Sequence, residues 1–163
     1  MRERINRKWM AIDHDIDMIM TAHIIFPQVD NRTILSEKTG QYEKRPATLS
    51  DRFLKDILRK EMGYNGVVIT DSMEMEGMSK FFNEDQAALE ALKAGADIIC
   101  IPVSAVHHDG TVDDKDEYLR RLDEVISYIE NAVNNDELSE ERLNEAVKRV
   151  LTLKKKNGRQ ISS

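Results

Sequence analysis

Apolar positions in this chain follow two different patterns. In three places they run without alternation: Asp17-Met18-Ile19-Met20-Thr21-Ala22-His23-Ile24, Gly66-Val67-Val68-Ile69-Thr70-Asp71 and Ala96-Asp97-Ile98-Ile99-Cys100-Ile101-Pro102. Such runs predict strands covered on both faces, the habit of parallel sheets flanked by helices. Elsewhere the apolar residues return every three or four positions. Ile5, Trp9 and Ile12 predict an amphipathic helix over residues 3–13. A second helix is expected from the cap candidates Thr48-Leu49-Ser50 to about Met62, burying Phe53, Leu54, Ile57 and Leu58, with Gly63 ending it in a left-handed conformation. Glu84 to Ala94 predicts a third, with Ala87, Ala88, Ala91 and Leu92 inward and Gly95 as its stop. Tyr118 to Val133 keeps the same period until Asn134-Asn135-Asp136 breaks it. Ser139 then caps a last helix, whose apolar face is Leu143, Val147, Val150 and Leu151 and whose last turn carries Lys154-Lys155-Lys156.

Strands alternating with helices imply a parallel sheet with right-handed crossovers. The stretch from Pro27 to Ala47 is polar, turn-rich and without clear period, and is expected to be a long loop serving as a lid or wall after the first strand. The 163 residues suit one domain. They are too few to close an eight-stranded barrel, which needs about 250. The sheet is therefore expected to be incomplete, or completed by another chain.

Composition removes several classes of function. A net charge of −6 with no basic stripe argues against nucleic acid. No apolar stretch reaches membrane-spanning length, and Met1-Arg2-Glu3-Arg4 lacks the apolar core of a signal peptide. Cys100, the single cysteine, can make no internal disulfide and reads as a small buried hydrophobe. Neither HExxH nor CxxC spacing occurs, so neither a metal nor a cofactor is expected. His107-His108-Asp109 reads as a polar loop.

The candidate chemistry lies where the apolar runs stop. Asp71 closes the central run, and the carboxyl ends of parallel strands are where α/β folds bind ligands. An aspartate in that position equally suits the cap of a following helix, and both readings stand. His23 closes the first run in the equivalent place. A signalling receiver domain also ends a central strand in aspartate. It needs an acidic pair ending its first strand, whereas Asp13 and Asp15 here precede that strand.

Several segments together resemble glycoside hydrolase family 3, and most closely its β-N-acetylhexosaminidase branch. They are Ile19-Met20-Thr21-Ala22-His23-Ile24 with Pro27 and Asp30, Pro46-Ala47-Thr48-Leu49-Ser50, the long stretch from Leu58 through Thr70-Asp71-Ser72-Met73-Glu74-Met75, Ala91 to Asp97, and Arg149 to Lys154. Ser72 stands where the family's β-glucosidases usually have tryptophan, which favours the hexosaminidase branch.

The resemblance implies an α/β fold, a partial (β/α)8 TIM barrel. Residues 1–163 would form the C-terminal portion of the catalytic barrel, about its last three β/α units plus the closing helices. It implies Asp71 as the catalytic nucleophile, with His23 and Met75 on the substrate side and a carbohydrate with terminal N-acetylglucosamine as substrate. The family's Lys-His-Phe-Pro-Gly-His-Gly segment and its loop Asp-His pair for proton transfer do not occur here. The isolated chain is therefore expected to be inactive, and to form a homo-oligomer or pair with the missing part of the barrel. The alternative is a non-catalytic carbohydrate-binding or scaffold descendant of the barrel.

Overall fold

In chain order the elements are β1 (Met18–Met20), β2 (Thr33–Leu35), β3 (Tyr42–Lys44), a 3-10 turn (Ala47–Leu49), a π-helix (Arg52–Glu61), β4 (Val67–Ile69), and the helices α1 (Glu76–Ser79), α2 (Glu84–Ala94), α3 (Lys115–Asn134) and α4 (Glu140–Lys156). They come from a computed structural model that describes Ile12, residues 15–107 and residues 109–158. Apart from Ile12, which packs on the core, the helix expected over residues 3–13 lies outside the described residues.

β1 and β4 pair in parallel, Met18 beside Val67, Ile19 beside Val68 and Met20 beside Ile69. The third apolar run joins the same sheet by one parallel bridge, Ile69 to Ile98. Ile19 and Val68 face the helices, in a core with Leu54, Met78, Phe82, Ala87 and Ala91. Alanines make that contact close: Ala87, Ala88, Ala91 and Ala94 of α2 are all buried. Gly63 and Gly95 end their helices with φ of +66° and +123°. Ser139 caps α4 by accepting the Arg142 amide, both as the sequence predicts.

Four expectations need correction. The first run is not covered on both faces: Met18 is 37% and Met20 57% exposed, because among the described residues β1 has a strand on one side only and no layer over that face. The third run contributes a bridge rather than a full strand. Its end turns away at Ile101, which takes a left-handed φ of +44° and is 43% exposed. The stretch after β1 is a wall with structure of its own. β2 and β3 form an antiparallel hairpin, Thr33 beside Lys44 and Leu35 beside Tyr42. At three residues each, these strands are too short to print a period on the sequence. Gln86 of α2 pins the hairpin, donating to the Leu35 carbonyl at 2.7 Å and accepting the Glu37 amide at 3.0 Å. Finally, the helix after residue 50 starts later than expected, with Asp51 capping Arg52, and its bonds run to the fifth residue back, as from the Met62 amide to the Ile57 carbonyl.

The amino end of β4 is held by one wholly buried carboxylate. Asp97 Oδ2 accepts from Arg59 Nη2 at 2.7 Å and from the Val68 amide at 3.0 Å, while Oδ1 accepts from Arg142 Nη2 and Arg149 Nη1, both at 3.0 Å. Arg59 also donates to the Tyr64 and Gly66 carbonyls, and Arg142 to those of Leu92 and Ala96. The π-helix, β4, the end of α2 and α4 thus meet on one charge. Removing one member of such a buried cluster leaves the others uncompensated. Asp97→Asn is expected to lower the unfolding free energy by about 3–5 kcal/mol. Urea unfolding measures this, and a loss below about 1 kcal/mol, the scale of an exposed ion pair, would refute the role.

A second buried carboxylate fastens the start of the hairpin. Asp30 accepts from Arg32 Nε at 2.8 Å and Nη2 at 2.7 Å, and from the Ser50 hydroxyl at 2.5 Å. The Arg32 guanidinium holds its carboxyl well below the usual carboxylate range, against the opposing effect of burial. A depressed folded-state pKa gives stability that is complete above the unfolded value, about 3.9, and is lost as pH falls below it. Asp30→Asn should therefore unfold at lower temperature than the parent at pH 7. The gap should narrow as the pH is lowered through about 4. A pH-independent gap in thermal unfolding would contradict the assignment.

Candidate active site

Asp71 stands two residues beyond β4, on a segment bolted to the third apolar run. The Thr70 amide donates to the Ile98 carbonyl at 3.0 Å, and the Thr70 hydroxyl, fully buried, accepts the Cys100 amide at 2.9 Å. Past the aspartate, the Met73 amide donates to the Cys100 carbonyl at 3.0 Å. Val67 and Val68, at 1% and 0% exposure, anchor the strand beneath. A carboxylate presented this way has little freedom of position, which an attacking group requires.

The side chain of Asp71 is half-buried, and its Oδ1 accepts the Ser72 amide at 2.9 Å. The capping alternative is thereby removed. α1 begins at Glu76 with Met75 as its cap residue, and Asp71 takes no part in it. A turn intervenes, in which the Met75 amide donates to the Ser72 carbonyl at 3.2 Å.

His23 reaches the same turn from the end of β1. Its Nε2 lies 2.9 Å from the Ser72 carbonyl, and its Nδ1 lies 2.9 Å from the Thr48 hydroxyl, which is itself 3.0 Å from that of Thr21. The structure thus brings the two titratable strand ends together through one residue, Ser72. Met75 is 48% exposed on this rim, whereas Met73 is 3% exposed and packs into the core. Thr21 and Thr48 are the site residues that sequence reasoning missed. Thr48 is fully buried, and its hydroxyl serves the histidine rather than a helix start. The available signal is a threonine inside an apolar run, two residues before its closing histidine.

His107 is elsewhere. Its Nε2 lies 2.5 Å from Asp113 Oδ1, in a loop closed by the Val106–Val112 bridge, and Asp113 also accepts from Arg121 at 2.5 Å. Those two partners hold the Asp113 carboxyl below its ordinary range. Asp109 bonds to Thr111, and His108 lies outside the described residues. Among the described residues no three His, Cys, Asp or Glu side chains stand close enough to share a metal ion. No described helix is long and apolar enough to cross a membrane.

Two of the clefts on the described surface lie near this sheet. One of about 680 Å³ lies at the amino ends of the strands, between Asp17, Gly66 and Lys156, far along β4 from Asp71. The other, of about 370 Å³, lies beyond the Asp71 turn, among Glu74, Ser79, Ser104, His107 and Arg121. Asp71 lines neither of them.

Comparison with known proteins finds relatives over most of the chain. β-Hexosaminidase A of Pseudoalteromonas piscicida is 34% identical over 139 residues, 85% of this chain and 22% of that protein. The β-N-acetylglucosaminidase/β-glucosidase of Cellulomonas fimi is 27% identical over 144 residues, 88% of this chain and 22% of that protein. A solved glycoside hydrolase family 3 β-N-acetylglucosaminidase from Paenibacillus sp. str. FPU-7 superposes with a TM-score of 0.74 at 34% identity, over 99% of this chain and 27% of that one. The chain therefore spans about a fifth of the length of the curated relatives it matches. The family description "Glycosyl hydrolase family 3 N terminal domain" matches residues 9–153, and the chain belongs to that family.

Proposed function

We propose that this chain is the nucleophile-bearing segment of a retaining β-N-acetylhexosaminidase, contributing about the last three β/α units of a (β/α)8 barrel. The observation that carries the reading is Asp71, held at the carboxyl end of a buried parallel strand within a sequence whose relatives are named hexosaminidases. The partial barrel is supported by the order β1, β4, third run, all parallel, with the described helices over one face. Met18 and Met20 then correspond to positions that line a barrel interior.

In this mechanism the Asp71 carboxylate attacks the anomeric carbon of a terminal N-acetylglucosamine as the glycosidic C–O bond breaks. A glycosyl ester forms, and water then cleaves it to regenerate the carboxylate. Met75 and the ring of His23 wall the sugar site at the rim. The chain lacks the acid that would protonate a poor leaving group, so alone it should hydrolyse ordinary glycosides little, an acid of that kind being worth about 10²–10⁴-fold.

A 2,4-dinitrophenyl N-acetylglucosaminide needs no such proton. Mixed with the chain, it is expected to release dinitrophenolate and leave one N-acetylhexosaminyl unit on the Asp71 peptide, detected by mass spectrometry. The Asp71→Asn variant should give neither. Saturable sugar binding without release or adduct would favour the non-catalytic carbohydrate-binding reading instead. Comparable turnover of an alkyl glycoside would sink the missing-acid argument.

The edge of β1 that is open among the described residues, beside exposed Met18, Met20, Ile24 and Ile25, is a surface for strand addition. In the proposed protein the earlier barrel strands occupy it. In the isolated chain a second copy does, and sedimentation velocity should show species larger than a monomer. A clean monomer with a sharp thermal transition would contradict this.

A further inference from the structure

We propose that His23 is a positioning residue for Asp71, locked as one tautomer by a directed chain of hydrogen bonds from Thr21 through Thr48 to the Ser72 carbonyl. The direction follows from what each atom can do. A carbonyl oxygen only accepts, so the Nε2 that lies 2.9 Å from it carries the hydrogen. In the neutral ring Nδ1 is then the acceptor, and the Thr48 hydroxyl, 2.9 Å away, donates to it. With its hydrogen so committed, the Thr48 oxygen accepts from the Thr21 hydroxyl at 3.0 Å.

The far end of this chain is Ser72, gripped on both sides. Its carbonyl accepts from His23 and from the Met75 amide, and its own amide donates to Asp71 Oδ1 at 2.9 Å. The backbone of Ser72 is therefore the link through which the ring fixes the carboxylate. α1 closes the arrangement from outside. A Cβ on Gly77 would lie 3.2 Å from the Cβ of His23 and 3.4 Å from its carbonyl oxygen, so the helix lies directly against the histidine. Both ring nitrogens are committed within the protein. His23 therefore neither hydrogen-bonds a sugar hydroxyl nor passes a proton to the leaving group; its contact with substrate is limited to the ring surface. This rests on the reading of Asp71 as the nucleophile, and the test keeps the two apart.

The first measurement is the imidazole ¹⁵N spectrum of the whole chain at neutral pH. His23 is expected as the Nε2–H tautomer with Nδ1 unprotonated, and in Thr48→Val that preference should weaken. A dominant Nδ1–H form in the parent, or an unchanged spectrum in Thr48→Val, overturns the proposal whatever Asp71 does. The second measurement is the rate at which the dinitrophenyl glycoside labels Asp71. His23→Leu is expected to slow labelling on the order of 100-fold, the effect of a misplaced reacting group. His23→Gln keeps a donor near the Nε2 position and should restore most of the rate, with apparent affinity for the glycoside within a factor of about two in both variants. Equal rate losses in the two variants, or weakened affinity in both, would mark a direct sugar contact and refute the positioning role. No labelling of the parent, with the expected tautomer present, would count against the nucleophile alone.

Discussion

The π-helix, β4 and α4 converge on the carboxylate of Asp97. A single negative charge, excluded from water, takes hydrogen bonds from three guanidinium groups and one backbone amide. The arginines come from two elements: Arg59 from the π-helix, and Arg142 and Arg149, about two turns apart, from α4. The amide belongs to Val68, at the centre of β4. Desolvating such a group is costly unless its lone pairs are filled, and here the surroundings fill them. The strand that presents Asp71 is thus located relative to both flanking helices before any apolar contact is considered. Apolar packing then follows on one face, where the alanines of α2 let it lie close to the sheet.

The opposite face of the sheet is uncovered among the described residues. Met18 and Met20 stand there beside a strand edge that, among the described residues, is unpaired. The hairpin, α2 and α3 are nonetheless knit together. Gln86 binds the backbone on both sides of Ser36, the Ser36 hydroxyl donates to the Phe81 carbonyl, and the Tyr128 hydroxyl of α3 reaches Glu37. The rim after β1 is accordingly a built wall rather than a slack insertion.

How much of this was legible beforehand depends on the range of the interaction. Features written in neighbouring residues read directly. Gly63 and Gly95 stop their helices, Ser139 caps α4, and the alanine face of α2 is as the spacing indicates. Asp71 and His23 at strand ends were also legible, since an apolar run that stops abruptly announces its own limit. Partners distant in sequence left no such mark. Asp97 sits inside an apolar run, and its arginines lie 38, 45 and 52 positions away. Thr48 looks like a helix cap until His23, 25 positions earlier, claims its hydroxyl. The hairpin was invisible because its strands are short and its anchor is the side chain of Gln86, contributed from another element.

The two buried polar arrangements lie at opposite ends of β4. The arginine cluster clamps its beginning, while the histidine relay governs the turn past its end. Cohesion and chemistry are therefore separable along a few residues of backbone. Evolution could redraw the rim around Met75 and the hairpin while the foundation beneath kept the strand in place. A lineage built on this segment would be free to vary its rim without first solving again how to fold.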